Sequence, residues 1–149
     1  MTAGLGVSEL EHVLVLSDEI DAACTFYERA LGLRAGNRPP LEFSGYWMYA
    51  GDTPCLHIAD RTSYRHHAET LGLHVGAEAA AAGTGPIDHV AFRAADYDGV
   101  SARLTEAGIE PVRNDVPGGG PRQLFFDDPD GLRVEINFAS SSSDDGRET

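Results

Sequence analysis

The same order of predicted elements occurs twice along the chain, and this repeat constrains the fold more than any single motif. Each copy begins with an apolar strand that contains a histidine, His12 in the first copy and His89, 77 residues later, in the second. A helix that ends at a glycine follows each strand, at Gly32 and then at Gly108, 76 residues later. Three short strands follow each helix, so the near-constant offset predicts a duplicated βαβββ unit. We therefore expect an α+β fold of two tandem βαβββ modules.

The spacing of apolar residues places the elements within each copy. The first copy is predicted to contain a strand at 10–16, a helix at 18–31, and strands near 33–38, 46–50 and 55–59. The second copy is predicted to contain a strand at 87–94, a helix at 96–107, and strands near 109–114, 123–126 and 132–138. The run Asp-Pro-Asp-Gly at 128–131 is a strong turn signal directly before the last strand.

The repeat also sets the domain boundaries. Residues 9–139 are predicted to form a single domain, with the first module at about 9–60 and the second at about 86–139. A long insertion at about 60–85 joins the modules and is predicted to be partly helical. A connection of this length is typical of a lid, a pocket wall or variable surface. The polar residues 140–149 are predicted to be a disordered tail.

Charge and composition argue against several classes of partner. The chain has 24 acidic and 11 basic residues and a formal charge of −13, so it repels nucleic-acid phosphates and anionic membrane surfaces. Its sequence shows neither an apolar run of membrane-spanning length nor a signal-peptide pattern. Cys24 and Cys55 form no Cys-x-x-Cys motif, which favours reduced thiols. We therefore expect a cytoplasmic protein that binds a small molecule, with no nucleic acid or membrane partner.

The repeat brings four ligand-type side chains into matching positions. His57 lies in the last strand of the first copy, and Glu135 lies 78 residues later in the last strand of the second. Strand alternation puts each of these side chains on the polar face of its strand, opposite the apolar residues that pack against helices. The symmetry of the repeat therefore predicts that His12, His57, His89 and Glu135 meet around a pseudo-twofold axis.

Three imidazoles and one carboxylate suit a divalent ion such as Ni²⁺, Zn²⁺, Co²⁺, Fe²⁺ or Mn²⁺. Four protein ligands leave two octahedral positions open, and these can chelate two neighbouring oxygens of a substrate. A metal bound in this way stabilises an enediolate and lowers the barrier to removal of an adjacent proton. Each histidine alone is more typical of a strand residue bonded to backbone or water, but the matched positions together favour a metal site.

Four segments carry a resemblance to a known family: LEHVLVL, FYERALGL, GPIDHVAF and QLFFDDPDGLRVEINF. Over residues 9–139 the chain resembles the vicinal oxygen chelate superfamily, which includes glyoxalase I, methylmalonyl-CoA epimerase, fosfomycin-resistance enzymes, extradiol dioxygenases and bleomycin-resistance proteins. The resemblance implies paired modules whose mixed sheets curl around a metal-binding cavity, with ligand positions that match His12, His57, His89 and Glu135. It also implies a homodimer, and some members of the family build the site from modules of two chains.

The leading functional hypothesis is a metal-dependent isomerase or epimerase. Its substrate is expected to be a small hydroxy-ketone, hemithioacetal or acyl thioester, and Glu135 is the candidate base because it is the only carboxylate of the set. His57 departs from the family pattern, since glyoxalase I and the epimerase usually carry Glu or Gln at that position. One carboxylate fewer makes the bound metal a stronger Lewis acid and removes a second candidate base.

Five further residues are candidates for contact with the substrate. Arg133 and Arg122 are candidates for binding an anionic group, and Arg133 is favoured because it shares the strand face of Glu135. Trp47 and Tyr49 line either the pocket or the core. Glu42 is a candidate second acid or base, provided that its strand reaches the cavity.

Two other functions stay open. An Fe²⁺ extradiol-type dioxygenase uses two histidines and one glutamate, although a fourth ligand crowds the positions that catechol and dioxygen need. A drug-sequestering protein keeps the same fold without a complete metal site. The four intact ligand-type residues favour the isomerase over both alternatives.

Overall fold

A computed structural model of the chain describes residues 9–73 and 87–139. Within these ranges the chain forms two four-stranded mixed sheets and three helices, which is the predicted α+β class. The predicted tail at 140–149 and the later part of the predicted insertion lie outside the described residues. None of the helices in the two described ranges is long and apolar enough to cross a membrane.

The first module is a sheet with one helix packed on it. Its elements are β1 (Val13–Ser17), α1 (Ile20–Leu31), β2 (Arg34–Gly36), β3 (Gly45–Ala50) and β4 (Thr53–Asp60). The strand order is β1-β4-β3-β2, with β1 and β4 parallel and the other neighbours antiparallel. All the predicted elements of this module are present, with ends that differ by a few residues.

A second helix, α2 (Arg61–Thr70), follows β4 directly and occupies the start of the predicted insertion. Asp60 caps this helix, because its carboxylate accepts a hydrogen bond from the backbone N–H of Ser63 at 2.9 Å. The buried Arg61 donates from Nε to Asp18 at 2.9 Å, which ties α2 to the connection between β1 and α1. This part of the insertion therefore belongs structurally to the first module.

The second module repeats the plan of the first. Its elements are β5 (His89–Arg93), α3 (Tyr97–Glu106), β6 (Val112–Asp115), β7 (Arg122–Asp127) and β8 (Arg133–Phe138). The strand order is β5-β8-β7-β6, again with the first and last strands parallel. β1 and β5 therefore lie at corresponding edges of the two sheets.

The strand registers confirm the duplication at the level of single residues. Trp47 of β3 lies opposite His57 of β4, and Phe125 of β7 lies opposite Glu135 of β8. Both residues of the second pair follow their counterparts by 78 positions, which is the offset seen in the sequence. His57 and Glu135 are therefore structurally equivalent.

Both module helices end at the predicted glycines. Gly32 and Gly108 have φ values of 71° and 80°, in the left-handed region that glycine adopts without steric cost. The N–H of Gly32 donates to the carbonyl of Glu28 at 3.0 Å, and the N–H of Leu33 donates to the carbonyl of Tyr27 at 3.2 Å. These bonds satisfy the last carbonyls of α1 and turn the chain into β2.

One buried hydrogen bond joins the modules across their shared hydrophobic core. The hydroxyl of Tyr27 on α1 donates to Oδ2 of Asp128 at 2.7 Å, and both residues are buried. The other oxygen of Asp128 accepts from the N–H groups of Asp130 and Leu132, both at 2.8 Å. Burial raises the pKa of Tyr27 far above its ordinary value, so the hydroxyl keeps its proton. Asp128 therefore stabilises the predicted turn and also links it to helix α1 of the first module.

Removal of the Tyr27 hydroxyl is expected to destabilise the protein. In Tyr27→Phe the buried Oδ2 of Asp128 loses its donor, which costs about 1–3 kcal/mol of the free energy of unfolding. Urea denaturation measures this loss. Tyr49→Phe is the matched control, because its hydroxyl donates to the Asn37 carbonyl at an exposed position, where water replaces it. Equal losses in the two variants would contradict the assigned role of the buried bond.

Candidate functional site

The candidate ligands lie on the faces of the two sheets that point away from the hydrophobic core. The neighbours of His57 on β4 and of Glu135 on β8 belong to the core, so alternation turns these two side chains to the other face. Even so, His57 is only 8% exposed and Glu135 only 6%. A carboxylate and an imidazole at this depth need polar partners.

His89 and Glu135 form a close pair on the second sheet. His89 is the first residue of β5, and Glu135 lies on β8, the parallel neighbour of β5. Nε2 of His89 lies 3.0 Å from Oε1 of Glu135. The adjacent strands therefore present a nitrogen and an oxygen donor atom at one point. We call this pair the second half-site.

Two side-chain amides hold the other oxygen of Glu135. Gln123 donates to Oε2 at 3.1 Å, and Asn137 donates to it at 2.5 Å. Gln123 also donates to Oδ1 of Asn137 at 3.1 Å and accepts from Asn114 at 2.7 Å. These three amides were not predicted from the sequence, although the positions of Gln123 and Asn137 on the strand face of Glu135 were a signal. The network fixes the carboxylate and directs Oε1 towards His89.

Three stacked rings form the corresponding part of the first sheet. The His57 ring lies between His12, with ring centroids 3.8 Å apart, and Trp47, with ring centroids 4.2 Å apart. Nε2 of His57 lies 3.1 Å from the carbonyl oxygen of Pro54, to which it donates. Burial lowers the pKa of His57, which favours the neutral imidazole that binds metals. We call His12 and His57 the first half-site.

An acidic residue accompanies the first histidine of each half-site. Nδ1 of His12 lies 2.8 Å from the carboxylate of Glu11, and Nδ1 of His89 lies 2.8 Å from that of Asp88. The hydrogen bond from His89 and then the charge of Arg133 lower the pKa of Asp88. An ionised carboxylate is only an acceptor, so it holds the ring proton on Nδ1 and leaves Nε2 as the ligand atom. The sequence analysis missed this pair of acids, although both precede the repeated histidines directly.

The structure brings together two pairs of predicted ligands, not the predicted quartet. Within residues 9–73 and 87–139, no three His, Cys, Asp or Glu side chains are grouped closely enough to hold a metal ion. The chemistry of the two half-sites nevertheless fits a divalent ion, because three imidazoles and one carboxylate form a mixed nitrogen and oxygen donor set. The described chain therefore carries these four side chains as two separate pairs.

Three of the predicted substrate contacts lie on the same sheet faces as the half-sites. Trp47 stacks on His57, and Tyr49 follows two residues later on β3, with its hydroxyl donating to the Asn37 carbonyl at 2.6 Å. Arg133 is opposite His89 in the register of β5 and β8. Its guanidinium lies 3.5 Å from Asp88 and 3.8 Å from Asp127, so its charge is already shared with two carboxylates.

The other two predicted contacts lie elsewhere. Arg122 is on the helix-facing side of β7, where its guanidinium carbon lies 3.5 Å from the centroid of the Tyr97 ring. Glu42 is exposed and lies between β2 and β3, so the expectation that it belongs to a strand was wrong. Pro39 and Pro40 precede it, and proline has no N–H to donate to a strand ladder.

Comparison with known protein families finds a match over most of the chain. The family model described as the Glyoxalase/Bleomycin resistance protein/Dioxygenase superfamily matches residues 9–136. A protein of Arabidopsis thaliana named Glyoxylase I 4 is 32% identical over 136 residues, which cover 89% of this chain and 71% of the relative.

Solved structures share the fold at lower sequence identity. A lactoylglutathione lyase from Agrobacterium tumefaciens aligns with a TM-score of 0.66 and 23% identity, over 89% of this chain and 95% of that one. TnmS3, an antibiotic binding protein from Streptomyces, aligns with a TM-score of 0.63 and 20% identity, over 92% of this chain and 100% of that one. A fosfomycin resistance protein from Listeria monocytogenes, complexed with Mn(II) and dihydroxypropylphosphonic acid, aligns with a TM-score of 0.66 and 12% identity, over 93% and 98% of the two chains.

Loss of the Gln123 amide is expected to destabilise the second half-site. Gln123→Leu keeps the side-chain size but leaves Oε2 of the buried Glu135 with one donor fewer, at a cost of about 1–3 kcal/mol in the free energy of unfolding. Asn114→Leu is the matched control, because Asn114 lies at the exposed end of the network and does not contact Glu135. Urea denaturation of both variants is the measurement. A larger loss for Asn114→Leu would argue against the network described above.

Proposed function

Because the chain belongs to the Glyoxalase/Bleomycin resistance protein/Dioxygenase superfamily, we propose that it is a divalent-metal-dependent isomerase or epimerase. Its proposed substrate is a small molecule with two neighbouring oxygens, such as a hydroxy-ketone, a hemithioacetal or an acyl thioester. The reaction removes a proton from a carbon next to a carbonyl through an enediolate-type intermediate, and returns it to the neighbouring carbon in an isomerase or to the same carbon in an epimerase. The relative named Glyoxylase I supports an activity of this kind.

The observation that carries this proposal is the position of His89 between two carboxylates. Asp88 faces Nδ1 at 2.8 Å, and Glu135 faces Nε2 at 3.0 Å. A neutral imidazole has a single ring proton, so its second nitrogen would point a lone pair at a carboxylate oxygen. A proton or a metal cation at this position would remove the repulsion. His89 and Glu135 would together supply a nitrogen and an oxygen ligand for a divalent ion, which would act as a Lewis acid.

The proposed ligands are the four residues of the two half-sites: His12, His57, His89 and Glu135. Ni²⁺, Zn²⁺, Co²⁺, Fe²⁺ and Mn²⁺ all suit this donor set, and the Mn(II) of the fosfomycin resistance protein supports a divalent ion on this fold. When bound, the ion supplies a Lewis acid that polarises two chelating oxygens of the substrate. Glu11 and Asp88 orient their histidines towards it through Nδ1.

Glu135 is the proposed base. Its Oε2 is held by Gln123 and Asn137, while Oε1 points to His89 and receives the proton from the substrate carbon. The same oxygen returns the proton to the neighbouring carbon, which completes the isomerisation without a change of oxidation state. Trp47, Tyr49 and Arg133 are proposed to line the pocket around the reacting group of the substrate.

We also propose that two chains assemble the complete site as a homodimer. Each half-site includes a histidine at a sheet edge: His12 directly precedes β1, and His89 is the first residue of β5. Leu10 and Ile87, two residues before these histidines, are 85% and 55% exposed at matching positions of the repeat. A second copy that covers these edges would bring the first half-site of one chain to the second half-site of the other.

Mixed dimers test both the metal site and its assembly. One variant lacks the first half-site, through His12→Ala and His57→Ala, and the other lacks the second, through His89→Ala and Glu135→Gln. Each variant alone is expected to lose bound metal. Equal mixtures, refolded together, should recover about one quarter of the wild-type metal content, because half of the dimers are mixed and each has one intact site. Metal analysis after gel filtration is the measurement.

The control for this experiment is His66→Ala, which removes an exposed histidine of α2 and should leave the metal content unchanged. Wild-type metal content in both double variants would overturn the metal site. Loss in both variants without recovery in the mixture would keep the ligands but place the site within one chain.

The role of Glu135 as base has its own test. Glu135→Gln keeps the side-chain shape but removes the basic oxygen, so incorporation of solvent deuterium into the substrate is expected to fall by about 10²–10⁴-fold. The probe is a hemithioacetal of phenylglyoxal and 2-mercaptoethanol, followed by NMR in D₂O. Undiminished incorporation would eliminate Glu135 as the base. Oxygen uptake with catechol instead of proton exchange would favour the dioxygenase.

A further inference from the structure

A groove lies along β6, β7 and β8 at one end of the second sheet. Its volume is about 550 Å³, and its lining includes Val112 of β6, Phe125 and Asp127 of β7, and Arg133 of β8. Antiparallel pairing sets Val112 opposite Phe125 and Asp127 opposite Arg133, so these four side chains share one face of the sheet. A volume of this size accommodates a small-molecule group.

The groove adjoins the His89–Glu135 pair through Phe125, although neither residue of the pair lines it. Phe125 lies directly opposite Glu135 in the register of β7 and β8, and its ring meets the His89 ring edge-to-face with centroids 6.4 Å apart. Arg133 lies opposite His89 on the other side of β8. A substrate whose two chelated oxygens lie beside Glu135 would therefore place the rest of the molecule over the Phe125 ring.

The floor of the groove is apolar and open to solvent. Val112 is 67% exposed, although it lies next to the aromatic ring of Phe125 across the strand pair. Ile109 lines the same end of the groove. An apolar group that covers this surface gains free energy in proportion to the area it removes from water.

The charges around this floor disfavour an anion. Glu110 and Asp127 line the groove, and Arg133 is its only cationic lining residue among those described. The Arg133 guanidinium is shared between Asp127 at 3.8 Å and Asp88 at 3.5 Å. The carboxylates therefore outnumber the guanidinium, on a chain whose formal charge is −13. The local potential is negative despite the arginine.

We propose that this groove binds an uncharged or cationic apolar group of the substrate, such as an aryl group, and rejects anionic ones. The inference rests on the proposed function, since it assigns the part of the substrate that lies beyond the two chelated oxygens. The substrate class is then a neutral or amine-bearing aromatic compound, and not a conjugate that carries carboxylates or phosphates at this position. The specificity residues are Val112, Phe125, Asp127 and Glu110.

Three probes of one shape test the charge preference: 3-phenylpropan-1-ol, 3-phenylpropylamine and 3-phenylpropanoate. Binding to the full chain without added metal is followed through the backbone amide shifts of Val112, Phe125 and Asp127 by NMR. The alcohol and the amine are expected to bind at least about fivefold more tightly than the carboxylate, as one close like charge implies. Absence of shifts at these residues with every probe would overturn the proposal.

Charge variants identify the residues responsible. In Glu110→Gln with Asp127→Asn, the carboxylate probe should gain about fivefold in affinity and the amine should lose about as much, while the alcohol stays unchanged. Glu69→Gln on α2 is the matched control and should change none of the three. Val112→Asp should weaken the alcohol, because apolar surface is lost, and weaken the carboxylate further, because a like charge is added.

One result would reverse the assignment. If 3-phenylpropanoate binds most tightly and Arg133→Gln abolishes its binding, the groove is an anion site and the proposal is wrong. Because the probes are titrated without metal, failure of the mixed-dimer experiment leaves this test intact. Conversely, intact metal binding with no probe in the groove overturns only this inference.

Discussion

The parallel pairing of the first and last strands within each module is the constraint on which the candidate site depends. Because β1 lies beside β4 and β5 beside β8, the histidine directly before β1 and the histidine that begins β5 each reach a ligand-type residue on the last strand of their module. The hydrophobic core on the opposite face fixes the register, since a slip by one residue would turn His57 or Glu135 into that core. Both half-sites are therefore products of sheet register and not of loop conformation.

The partners of Glu135 explain how a buried carboxylate stays available for a cation. Gln123 and Asn137 satisfy one oxygen with neutral amide donors, which replace lost water without cancelling the negative charge. The other oxygen faces His89 at 3.0 Å. The carboxylate is thus fixed in position beside a single imidazole, which suits the proposed roles of metal ligand and base.

The junction between the modules follows from a single turn. The Asp-Pro-Asp-Gly signal predicts the turn before β8, and the structure has it, with Gly131 at φ 95°. The same Asp128 also accepts a hydrogen bond from Tyr27, 101 residues earlier in the chain. No local pattern predicts that contact, because it depends on α1 packing over the second module. Asp128 thereby connects the turn before β8 in the second module to helix α1 in the first.

The sequence by itself determined the duplication, the order of the elements and the family, because repeat offset, apolar periodicity and motif are local properties of the chain. It also determined that His57 and Glu135 are equivalent, since alternation along a strand has a fixed period. Arg122 was predicted from the sequence to contact the substrate, although alternation along β7 puts it on the face of Leu124 and Phe126, where the structure has it against Tyr97. Only the tertiary structure decided which side chains meet. It formed two half-sites in place of one quartet and set a carboxylate against each ring nitrogen of His89, because contacts between strands and modules depend on packing that residues distant in sequence determine together.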